Sequence, residues 1–182
     1  MFGNRGGMFH DPVGRRLTGR RWATHRWLCC RLDFNGSHRH PVWSRGYTQV
    51  FFLDEVTALA AGHRPCFECR REAAIAFRAA AGFAPGGRAL PVSALDERLH
   101  AERLATRKRL RTERVGRLPE GTIVVIGAEP FALRDGRLLR WCHAGYRDAG
   151  PIADGRVGIL TPATTVVALA AGYRPVWHPT AA

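Results

Sequence analysis

The chain of 182 residues has almost no lysine: of its 28 basic residues only Lys108 is one, and 27 are arginine. It is also poor in acid, with 15 Asp and Glu, so the formal net charge is +13 and the sequence pI is near 11.1. A coding bias toward arginine explains Arg in place of Lys, but not the excess of bases over acids. That excess points to a polyanionic partner, and arginine's planar fork suits phosphate and stacked bases. Long apolar runs are missing as well. None approaches the roughly 18 residues needed to cross a bilayer, so no membrane partner is expected. The opening MFGNRGGMFHDPVG lacks the apolar stretch of a secretory signal. Five cysteines, two adjacent and two in one Cys-x-x-Cys, do not form a disulfide framework, and a reducing cytoplasm is the expected compartment. No Gly-x-Ser-x-Gly elbow, phosphate loop or dinucleotide fingerprint occurs.

What the chain does have is an apolar content of 46%, enough for a real core in one compact domain or two small ones. Its most informative stretch is Ala58-Leu59-Ala60-Ala61-Gly62-His63-Arg64-Pro65-Cys66-Phe67-Glu68-Cys69. An Ala-rich helix meets Gly62, which can take the left-handed conformation that closes a helix. Pro65 then fixes φ and removes an N–H, so the two thiols leave at a set angle. Two sulfurs on such a knuckle can share a tetrahedral metal or act as a redox dithiol.

At this point the chain resembles the metal-binding domain of Ada-type DNA repair proteins, through Phe51-Phe52-Leu53-Asp54 and AGHRPCFEC. The resemblance implies that the knuckle supplies half of a zinc site and that an upstream hairpin supplies the rest. In that family an upstream thiolate accepts a methyl group from a DNA phosphotriester. The corresponding segment here, Asn35 to His40, contains no cysteine. The expected ligand set is therefore Zn²⁺ held by Cys66, Cys69, His38 and His40. Cys29 or Cys30 with one histidine is the alternative, and His63 is a further donor.

A second feature echoes the first. ALAAGHRP at 58–65 returns as ALAAGYRP at 168–175, identical at seven of eight positions. Each copy follows a short apolar strand and a helix-start residue, Asp54 or Thr161, with Pro162 suited to the first helical position. The second copy has no cysteines, and both segments are predicted strand–helix units.

Residues 1–21 are predicted to be an irregular basic arm, and Trp22 to Phe34 a strand followed by an Asn35-Gly36 turn. Adjacent strand residues face opposite ways, so Cys29 and Cys30 cannot both reach one site without a bulge. Tyr47 to Leu53 is a further strand, Glu55 to Ala61 a helix, and Glu72 to Ala81 another. Ala84-Pro85-Gly86-Gly87-Arg88 is a linker. Ser93 is expected to cap a long helix to about Arg114, with Asp96 as its capping-box partner. Asp96, His100, Arg103, Arg107, Arg111 and Arg114 share one helical stripe, read as a phosphate-tracking surface, an Asp–His–Arg site or a solvated face. Strands then follow over Thr122 to Ile126, Phe131 to Trp141 around Asp135-Gly136, and Val157 to Leu160.

The expected fold class is α+β: a β-ribbon and helix knuckle module over 1–83, then a long helix and small antiparallel sheet over 84–182. The expected function is a zinc-containing nucleic-acid-binding protein in DNA repair or processing, with DNA ahead of RNA as partner. Arg70, Arg71, Arg103, Arg107 and Arg111 are its phosphate contacts. One alternative is an enzyme acting on nucleic acid through the metal or through Asp96, His100 and Arg103. The other is a metal-free redox or structural protein.

Overall fold

The computed structural model describes residues 1–35, 42–83 and 87–182. It is an α+β fold built on two main sheets. The first takes strands β1 (Phe2–Asn4), β4 (Leu28–Cys30), β5 (Val50–Phe51) and β6 (Arg64–Pro65), in the order β5-β1-β4-β6. Its β4–β6 pair is parallel, while β1 pairs antiparallel with both β4 and β5. A separate two-stranded ribbon joins β2 (His10–Asp11) to β3 (Arg16–Leu17). Residues 1–21 are therefore not an irregular arm. Phe2 is buried, and β1 becomes an inner strand because its short apolar segment covers the thiols of β4.

The second sheet is antiparallel with six strands. These are β7 (Arg111–Arg114), β8 (Ile123–Ile126), β9 (Glu129–Arg134), β10 (Arg137–Cys142), β11 (Gly145–Pro151) and β12 (Arg156–Ile159), ordered β11-β10-β9-β8-β12-β7. The β9–β10 hairpin turns at Asp135-Gly136, both at positive φ, as a tight two-residue connection requires.

Among the described residues four α-helices pack around the sheets: α1 (Glu55–Ala60), α2 (Arg71–Ala80), α3 (Val92–Lys108) and α4 (Ala163–Ala170). Helix α1 starts with a full capping box, Asp54 accepting from the Thr57 amide at 2.9 Å while Thr57 Oγ1 accepts from the Asp54 amide at 3.2 Å. Helix α3 departs from expectation at both ends. It starts after Pro91, with no side-chain cap from Ser93, because Asp96 is drawn to Arg64 instead. It stops at Lys108 because Arg109 turns extended, and Arg111 to Arg114 pair with Ile159 to Arg156 as the edge strand β7.

The repeat is structural as well as textual. Gly62 and Gly172, both at positive φ, donate to Leu59 O and Leu169 O; His63 and Tyr173 donate to Ala58 O and Ala168 O. Each helix thus ends in the same paired Schellman bonds. Leu59 and Phe77 pack with Leu95, Leu99, Ala168, Leu169 and Tyr173, while Val56 packs with Ile123, Leu139 and Tyr146 of the second sheet.

Candidate metal centre

Parallel pairing of β4 with β6 builds the site. The register sets Leu28 beside Arg64 and Cys29 beside Pro65, and the Cys66 amide donates to Cys29 O at 3.2 Å. The next step along β4 is Cys30. Its thiol and those of Cys66 and Cys69 all lie within 4.8 Å of one another, and all three residues are buried. Thiolates bound 2.3 Å from one tetrahedral ion stand about 3.8 Å apart, so a small contraction would seat a metal. The Arg70 amide closes the knuckle onto Cys66 O at 3.0 Å. Backbone donors already face the sulfurs: Glu68 N to Cys66 Sγ and Arg31 N to Cys69 Sγ, each 3.4 Å. Phe2, Leu28 and Phe34 pack around the cluster and keep water out.

The electrostatics fit a metal-binding set. A hydrogen bond from Cys30 brings the Cys66 thiol down to about 5; burial opposes the shift, and the Cys69 and Glu68 amides assist it. Cys30 is pushed up by donating that bond and by burial, and Cys69 is pushed up chiefly by burial. The three thiols can thus hold one negative charge among themselves. A second and third thiolate need a cation in their midst, which a divalent soft-liganded metal supplies.

Strand alternation decides between the adjacent cysteines. Cys29 is fully buried on the opposite face, with Sγ 3.3 Å from Met1 Sδ and 3.5 Å from Arg70 Nη1, and burial raises its thiol to about 12. It is not part of the cluster. His38 and His40 lie outside the described residues. His63 is buried elsewhere, its ring centroid 4.6 Å from Phe52 and 5.1 Å from Trp27, and its Nε2 accepts from Arg5 Nε at 3.4 Å.

The arginines divide by burial. Arg70, expected on the surface, is buried; its Nη2 bonds Glu55 Oε2 at 2.6 Å, and the Tyr173 hydroxyl and Val176 amide complete the carboxylate's partners. A guanidinium so engaged cannot reach a phosphate. Arg103 is likewise buried, donating to Gly62 O at 2.7 Å and His25 O at 2.9 Å. Arg71, Arg107 and Arg111 are exposed, Arg111 on β7 rather than on a helix.

The Asp–His–Arg reading of α3 loses its acid. Both Asp96 oxygens are clamped by Arg64, at 2.7 and 2.8 Å, with both side chains buried. His100 stacks on His25 at 3.6 Å and meets Arg103 at 3.1 Å. These three residues are buried, whereas Arg107, Arg111 and Arg114 of the same expected stripe are exposed. Sequence reasoning reached Cys66 and Cys69 through their spacing but gave Cys30 only as an alternative, because the parallel β4–β6 pairing has no local signature. It also missed Arg64 and Arg5. No family model, no curated protein and no solved structure matches the chain.

Proposed function

We propose that the protein is a zinc-stabilised nucleic-acid-binding protein, with DNA ahead of RNA as its partner. The observation that carries the metal is the convergence of Cys30, Cys66 and Cys69 within 4.8 Å. Three thiolates select a soft or borderline cation, and zinc needs no redox partner to remain there. A tetrahedral set calls for a fourth ligand, and the sequence offers His38 and His40, eight and ten residues along the chain from Cys30. Buried thiolates with amide donors suit a closed structural site better than an open catalytic one. A third converging thiol also favours a metal over a Cys66–Cys69 redox pair. From the Ada resemblance the reading takes the zinc and the DNA, not the methyl transfer.

The nucleic-acid partner is supported by the net charge of +13 and by the exposed Arg15, Arg16, Arg20 and Arg21, the last two beside Arg107. Two measurements test the reading. Protein purified without added metal carries one zinc by elemental analysis, and Cys66→Ser protein carries none. Binding of labelled DNA and RNA weakens with salt at a log–log slope of about −0.7 to −0.9 per phosphate contacted. A metal-free protein, or one that binds neither polymer at low salt, sinks the corresponding half.

A further inference from the structure

The surface around Trp22 divides by charge. One cavity against the indole, of about 560 Å³, is lined by Arg20, Arg21 and Arg107 and contains no acid. All three arginines are exposed, and among the described residues their guanidinium groups make no hydrogen bond or ion pair. Their places are set through the backbone: Arg21 O accepts from Arg5 Nη1 at 3.3 Å, and Arg107 stands on the last turn of α3. They therefore keep their donors for a ligand, whereas the buried Arg64, Arg70 and Arg103 spend theirs inside the protein. Three like charges held together and not neutralised attract an anion.

The indole between these charges has no parallel partner. Trp22 is half-buried, and the two rings that touch it are T-shaped or tilted: His100 at 5.2 Å and 74°, Trp27 at 5.9 Å and 49°. These contacts brace the indole without stacking on it, whereas His25 and His100 lie nearly flat against each other at 3.6 Å. A second cavity against Trp22, of about 600 Å³, reaches His25, Arg26, Ser93 and Glu97. Glu97 stands there with its oxygens 2.8 and 2.9 Å from His25 Nδ1, and its charge disfavours phosphate on that side. The ring thus has a direction. Anions gather at Arg20, Arg21 and Arg107, and a flat uncharged group fits over the indole.

We infer that Trp22 is a stacking platform for one base of a single-stranded nucleic acid whose phosphates run across Arg20, Arg21 and Arg107. A duplex keeps its base faces against one another and offers this ring none, whereas a single strand can present one. Every base has such a face, so the site takes any sequence. This rests on the nucleic-acid reading and deepens it by naming the form of the polymer and the ring that meets it.

The test follows fluorescence anisotropy of three labelled DNAs with the full protein: a sixteen-nucleotide strand, its duplex, and an abasic strand with the same phosphates. Wild-type protein should bind the strand more tightly than the duplex. It should also prefer the strand to its abasic counterpart by about fivefold or more, the lower end for one stacked base. Trp22→Leu should erase the difference between the base-bearing and abasic strands and leave abasic affinity unchanged. Arg20→Ala, Arg21→Ala and Arg107→Ala combined should weaken both strands and flatten the log–log salt slope by about two units, one phosphate per arginine. Circular dichroism and thermal melts show whether each variant is folded. A crosslink to wild-type protein keeps the assignment open to refutation if Trp22→Leu is not: a 5-iodouracil strand, irradiated in the complex, should attach at Trp22. Equal binding of base-bearing and abasic strands would overturn the stacking and reduce the site to an anion track. A preference that survives in folded Trp22→Leu, or attachment at another residue, would overturn the choice of Trp22. Duplex binding tighter than strand binding would remove this inference and leave the nucleic-acid reading standing; binding of none of the three DNAs would remove both.

Discussion

Cys29 and Cys30 are neighbours in sequence and face opposite sides of β4, and their substitution separates two roles. Cys30→Ser removes one of three thiolates and should abolish stoichiometric zinc and lower the melting temperature. Cys29→Ser changes a buried thiol that touches Met1 and Arg70, so zinc content should stay at wild type with a modest stability loss of about 1 kcal/mol. Elemental analysis and thermal melts on the two proteins decide the matter; loss of zinc from the Cys29 variant would contradict the assignment. His63 offers a second test. Burial first, then Arg5 and Arg103, holds its imidazole well below the ordinary 6.5, so the folded chain keeps it neutral. The unfolded chain takes up a proton as pH falls through 6.5, and the folded chain does not. Stability is therefore full above that pH and is lost on acidification, at up to about 1.4 kcal/mol per pH unit. Denaturant midpoints between pH 7.5 and 5.5 should fall for wild type and flatten for His63→Phe. Equal slopes in the two proteins would assign the acid sensitivity to other groups.

At the scale of elements, the two Gly-capped helices invite direct comparison. Alanine at either glycine must adopt positive φ, a cost of about 1–2 kcal/mol. At Gly172 an added Cβ meets nothing within 4 Å, whereas at Gly62 it falls 2.4 Å from Arg103 Cδ. Gly62→Ala should therefore destabilise more than Gly172→Ala, and should also displace Arg103. Urea denaturation of both variants checks the order, and equal losses would mean that Arg103 yields freely. These caps were legible in sequence because Gly, Arg and Pro act locally; so were α1, α2 and the Asp135-Gly136 hairpin. The end of α3 was not, since Leu110 to Arg114 remain helical by pattern and only pairing with β12 extends them. The strand expected from Trp22 to Phe34 contracts to three residues, Leu28–Cys30, because only there do β1 and β6 offer partners.

For the molecule as a whole, the metal knuckle and the C-terminal segment are joined through one buried acid. Arg70 follows Cys69 directly and grips Glu55, which also receives the Tyr173 hydroxyl at 2.5 Å and the Val176 amide at 2.9 Å. Asp54 beside it receives the Tyr146 hydroxyl and the His178 amide. Removing zinc with a chelator should loosen the knuckle and, through Arg70, raise hydrogen exchange at Val176 and Tyr173 as well as at residues 66–70. Protection retained at 173–178 while 66–70 exchanges would show that the two ends are uncoupled. The fold class and its antiparallel sheet could be read from alternating patterns. This tie could not, because partners 121 residues apart leave no periodic trace. The same tie has a consequence in time. A ribosome adding 5–20 residues per second needs roughly 6–24 s to travel from Glu55 to Val176. Through that interval the carboxylates of Asp54 and Glu55 lack their partners Tyr146, Tyr173, Val176 and His178, and the early part of the chain stays unfinished until those residues emerge. Locking of the N-terminal sheet is therefore expected to wait until residues 173–178 have been made.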